Sequence, residues 1–248
     1  MERTRANRSL ITNELTGWTH RRSSLGAVVA CGIFLVLAIV DNRLHHAPLF
    51  VAVLGGPGVR VVYGHLGEAR TGWPWFLANV LFAVSVSGLI DSGTGWIRLT
   101  LVREVTRFQW AACRLGSIVL LAMGFLAFLV AILGLASGIA RNSAPLITRS
   151  TLWEVGLWAL GLTCIGWFEA ALTLLTGHVW LGVFVTFLLL VFAEFGNSLA
   201  PFMPFAQWIV GMHNLPGTLS VVGSTIYLLG WLVLAGITMV WASHYDLD

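Results

Sequence analysis

Three carboxylates stand inside long apolar stretches of the sequence: Glu154, Glu169 and Glu194. An ionised carboxyl in the middle of a hydrocarbon layer costs at least about 2.5–3.5 kcal/mol, so each needs a partner, water or a proton. Two roles fit such a residue. One is a polar lining for a translocation path or a proton-sensitive site. The other, simpler role is a hydrogen bond to a neighbouring helix. Glu154 lies one turn into its apolar run, within reach of the outer interface. Glu194 lies about 22 Å along a helix from residue 179, so it approaches the same surface. Glu169 is deeper, in the half nearer the cytosol.

A different kind of chemistry is concentrated in residues 92–114, SGTGWIRLTLVREVTRFQWAACR. At 3.6 residues per turn Ile97, Leu101 and Val105 form an apolar stripe, while Thr100, Arg103, Glu104 and Arg107 face the other way. Arg98 and Leu99 interrupt the pattern. A short helix of this kind suits a membrane surface, with its apolar side on lipid or neighbouring helices and its arginines turned to the cytosol or a docked protein. A loop whose arginines only fix topology is the plainer explanation.

Other reactive groups lead less far. The seven histidines (His20, His45, His46, His65, His178, His213 and His244) fall in loops or at the ends of apolar runs, which disfavours a haem or metal site between facing helices. Residues 134–138, GLASG, resemble the serine motif of rhomboid-type intramembrane proteases. Such an enzyme also needs a histidine base at the same depth, and a GxxxG face for close helix packing accounts for the same glycines. Cys31, Cys113 and Cys164 form no CxxC pair and read as small apolar residues.

The elements that must position these residues follow from composition. The 248 residues are 57% hydrophobic and 10% charged, with a mean hydropathy of +0.84. Soluble domains carry roughly 25% charged residues, so this composition belongs to an integral membrane protein. All fourteen basic residues are arginine. Without lysine these residues can form neither a P-loop nor a Schiff base. Any ATP-driven work therefore needs a nucleotide site on another chain.

The apolar runs predict six spans, about 25–42, 73–90, 110–140, 152–176, 179–197 and 221–243, behind a basic N-terminal tail over 1–24 and before a short tail over 244–248. The first run has no small-x-small cleavage site and reads as a retained span. Pro48–Leu54 is too short to cross about 30 Å of hydrocarbon and reads, with Gly55–Gly58, as an external or re-entrant connector. Gly177 and His178 leave room only for a tight turn, so the fourth and fifth spans are antiparallel neighbours. Residues 198–220, with Pro201, Pro204 and Pro216, read as an irregular external loop. Trp18, Trp73, Trp75, Trp96, Trp110, Trp153 and Trp180 fall at expected interfaces. Nine arginines, Arg114 among them, then lie on the side of both termini and five on the other. That places both termini, and the 92–114 segment, in the cytosol.

This order of elements resembles the small six-span permeases of ATP-binding-cassette exporters, the type-2 ABC permease group. The likeness rests on the basic tail, on residues 91–98 (DSGTGWIR) after the second span, on TRF and the run to Arg114 and Leu115, and on the tight turn between the fourth and fifth spans. The pattern departs from the family where Asp91 stands for a glutamate and Arg114 for a lysine. The resemblance implies an all-α polytopic membrane protein with a cytosolic amphipathic coupling helix between helices two and three. By position, Arg98, Arg103, Glu104 and Arg107 would dock on a separate ATPase subunit. ATP and Mg would bind there, and this chain would hold no cofactor of its own. It further implies a plasma (inner) membrane location, a second permease copy or sister permease, contact with lipid, no nucleic acid, and export of a hydrophobic or peptidic substrate such as an antimicrobial compound. Two other classes stay open: an intramembrane, protease-like enzyme using Ser137 or Glu169, and a non-transporting assembly or sensor subunit.

Overall fold

A computed structural model of the chain describes residues 32, 73–101, 107–139, 149–195, 204–208 and 220–245. Among these the fold is all-helical, with no strand. Five α-helices follow in order: α1 Trp73–Leu101, α2 Arg107–Ile139, α3 Arg149–Thr176, α4 Val179–Phe195 and α5 Val221–Tyr245, with a 3₁₀ turn at Pro204–Ala206 before the last. Gly32 is helical; the remainder of the expected span over 25–42, the connector around Gly55–Gly58 and both tails lie outside the described residues.

Apolar residues dominate these helices on every side, and such a helix is stable only inside a large core or a membrane. Three stretches are long and apolar enough to cross a membrane: Phe108–Ile132, Val155–Thr176 and Val221–Trp241. Trp75–Ile90 and Val179–Ala193 are shorter apolar helices. The outer faces settle which environment applies. Val222, Ile226, Val233 and Ile237 on α5 are each more than 60% exposed. That stripe continues to Trp241, covering about 28 Å of helix axis, close to the ~30 Å of a hydrocarbon core. Exposed aliphatic surface of that length is unfavourable in water and neutral in lipid.

Helix α3 is the hub, packing against α1, α2, α4 and α5. Three glycines allow the close approaches. Val86 of α1 and Ile118 of α2 both close on Gly166, and the Trp208 indole lies directly on Gly161. At Gly182 of α4, a methyl group would come within 3.0 Å of the Glu169 carbonyl oxygen. Small residues at such crossings let dispersion contacts accumulate where lipid supplies no hydrophobic drive between helices. The turn joining α3 to α4 is made by Gly177 at φ 69°, whose N–H donates to the Thr173 carbonyl at 2.8 Å. This is a left-handed helix C-cap. With two residues in the turn, α3 and α4 run antiparallel side by side.

Two features differ from the sequence-based expectation. The amphipathic stretch is not a separate helix up to Leu101: residues 92–101 form the last turns of α1. Residues 102–106 lie outside the described residues, and Arg107 opens α2. Second, residues 204–208 of the expected external loop enter the bundle. Phe205, Ala206, Gln207 and Trp208 are all buried. Trp208 packs on Trp75 at 6.2 Å and on Phe205 at 5.4 Å between ring centroids, and Phe205 meets Phe168 edge-on at 5.7 Å. Irregular backbone is tolerated at such depth only when protein surrounds it and its polar groups are bonded. Here Ser224 of α5 donates to Gln207 Oε1 at 3.0 Å.

Candidate functional site: a polar layer below a charged helix tip

The charged residues singled out by the sequence cluster where α1 gives way to α2. Arg98 lies in the last turns of α1 and Arg107 is the first residue of α2; Arg103 and Glu104 fall outside the described residues. The 29 residues of α1 and 33 of α2 correspond to about 43 and 50 Å of axis, well beyond a ~30 Å hydrocarbon core. In sequence the apolar run of α1 gives way after Ile90 to Asp91-Ser92-Gly93-Thr94, and the helix continues for eleven more residues, roughly 16 Å, to Leu101.

Just inside this tip lies a layer of buried polar side chains. Arg114 of α2 is 2% exposed, not in cytosolic water as its place in a basic run suggested. Its Nη2 donates to the Leu89 carbonyl of α1 at 2.9 Å and also to the Ile90 carbonyl. The guanidinium lies 5.9 Å from the centroid of the Trp110 ring, at the distance where a cation is attracted to an aromatic face. Arg114 thus fastens α2 to α1 where α1 leaves its apolar section. One residue on, the Leu115 carbonyl accepts the Trp167 indole N–H of α3 at 3.2 Å. A methyl on Gly236 of α5 would touch both Trp167 and Leu115.

Glu169 belongs to the same layer. It is fully buried, and neither carboxyl oxygen has a hydrogen-bond partner. Thr173 is one turn further along α3; it is 1% exposed and its hydroxyl is also unpartnered. Gly182 places both against α4, because a methyl there would lie 2.9 Å from Thr173 Oγ1 and 3.2 Å from Glu169 Cγ. The antiparallel register then sets Thr186, one turn beyond Gly182, opposite Glu169. Thr186 is fully buried with an unpartnered hydroxyl.

The three acids do not converge. Glu194 is on the last turn of α4 and Glu154 on the second turn of α3; their side chains lie outside the described residues. Along the helix axes Glu194 is about 12 Å, and Glu154 about 22 Å, from the level of Glu169. Sequence reasoning found Glu169 through its apolar surroundings, but missed Thr173 and Thr186. Their spacing of i, i+4 to Glu169 and Gly182 was the available signal. A second group, nearer the opposite end, was also missed: the indole nitrogens of Trp75, Trp158 and Trp208 and the Asn79 Oδ1 are buried without partners. Trp75 is fully buried and not an interfacial belt residue; Trp153 and Trp180 are 69% and 79% exposed, as belt residues are.

The other candidates are placed as follows. Cys113 and Cys164 are buried free thiols, and His178 is exposed in the α3–α4 turn. The Ser137 side chain is outside the described residues. Among the described residues no three His, Cys, Asp or Glu side chains come together as metal ligands. No family model, curated protein or solved structure matches the chain.

Proposed function

We propose that the chain is a six-span permease subunit of an ATP-binding-cassette exporter, set in the plasma membrane with both termini cytosolic. The observation that carries this reading is the continuation of α1 to Leu101 through the polar segment that holds Arg98, with Arg107 opening α2 and Arg103 and Glu104 between them in the sequence. These residues contain no lysine and hence no P-loop, so in this reading the nucleotide site lies on another chain. A helical extension of this kind is a lever on which a separate motor can push. Its continuity with two apolar helices carries the motion into the bundle, and its charges fix the register of docking. The partner ATPase then binds ATP and Mg, and a second copy or a sister permease completes the path for a hydrophobic or peptidic substrate.

Replacing Arg103 by a photo-crosslinking amino acid in the producing cells tests the docking. Cross-links to a P-loop ATPase support the reading. Cross-links to lipid alone contradict it. Substrate export from vesicles, compared with and without this chain, separates a permease from a subunit that only recruits partners.

A further inference from the structure

We propose that Glu169, Thr173 and Thr186 form a site for one dehydrated monovalent cation in the seam between α3 and α4. The site does not depend on the ATPase reading. Its oxygens come from two facing helices: the Glu169 carboxylate and Thr173 hydroxyl on one, the Thr186 hydroxyl on the other. All three side chains are at least 99% buried, and none of their four oxygens makes a hydrogen bond. Buried polar groups left this way cost about 1–3 kcal/mol each, so three at one crossing call for a shared guest. Glu169 and Thr173 both lie against Gly182 of α4, and Thr186 follows one turn further along that helix.

The chemistry of the donors selects the ion. All are hard oxygen atoms, which disfavours copper, zinc and other metals that prefer nitrogen or sulfur. A single carboxylate is neutralised by one positive charge, whereas a divalent ion in a protein cage generally draws on several carboxylates. Arg114, the other charged side chain of this layer, is turned to the α1 carbonyls and the Trp110 ring. The close approach at Gly182, where a methyl group would crowd Glu169 and Thr173, sets α4 directly against these two side chains. A bound ion would tie α3 to α4 next to the turn at Gly177.

The test uses the full chain in nanodiscs of neutral lipid, unfolded thermally in NaCl, KCl or choline chloride at equal ionic strength. The unfolding temperature is expected to rise saturably with Na⁺ or K⁺ and to stay level in choline, since a ligand of the folded state stabilises it by mass action. Glu169→Gln should abolish the response. Thr173→Val and Thr186→Val should each raise the half-saturating Na⁺ concentration roughly tenfold, about the loss of one charge-assisted contact. Should Glu169→Gln fail to fold, ²³Na line broadening by the wild-type protein, reversed by Li⁺ but not by choline, decides the point. Equal unfolding temperatures in Na⁺, K⁺ and choline overturn the proposal. So does a transition that moves with pH and ignores Na⁺ and K⁺, which would leave Glu169 a proton site only.

Discussion

Arg114 shows how much one side chain's surroundings change its meaning. Read in sequence, it closes a basic run and counts toward the cytosolic charge. In the fold it is buried and donates to two carbonyls of α1. A hydrogen bond to a charged group contributes about 1.5–3 kcal/mol to stability. Arg114→Ala is therefore expected to destabilise the bundle by about 2–3 kcal/mol, measured by denaturant titration in micelles. Lysine at the same place keeps the charge but lacks the planar fork, so Arg114→Lys should recover only part of the loss. The clue to this burial was present in the sequence, four residues into a run that is otherwise apolar from Trp110, but an arginine there reads equally well as a flank. Glu169 was easier to single out, because a lone acid amid apolar residues has no bland surface explanation.

At the scale of elements, the helices were legible because long apolar runs and their polar interruptions mark spans directly. Gly177 and His178 marked the α3–α4 turn for a local reason, since glycine tolerates positive φ. Gly177→Val should cost about 1–2 kcal/mol through left-handed strain alone, seen as a lower unfolding temperature with the helix content retained. The turn at residues 204–208 was not legible. Three prolines in a loop signal irregular backbone, yet nothing local tells whether that backbone lies outside or is folded into the bundle. Only the partners decide it: Gly161 gives Trp208 its place and Ser224 satisfies Gln207. Gly161→Leu should expel the Trp208 ring, costing about 1–3 kcal/mol as overpacking, with a red-shifted tryptophan emission and new proteolytic cleavage near residue 208. The junction after Ile90 also exceeded local pattern. The expected separate surface helix is instead continuous with α1, which runs on through Gly93 and Gly95 to Leu101.

For the whole molecule, the exposed apolar stripe on α5 marks a body that sits in lipid, and the polar end of α1 is the proposed docking tip. Val233→Arg, on the lipid-facing side, should impair insertion by about 2.5–3.5 kcal/mol, scored as the fraction of glycosylated or protease-protected chain in a membrane-insertion assay. The tip's partner is the central claim. Its most direct measurement is the affinity of the cognate ATPase for the nanodisc-embedded chain, wild type against Arg103→Glu/Arg107→Glu. Reversing two charges at a docking surface should weaken binding by at least roughly a hundredfold, while the variant still inserts and unfolds at the wild-type temperature. Equal affinity for the two proteins would contradict the account.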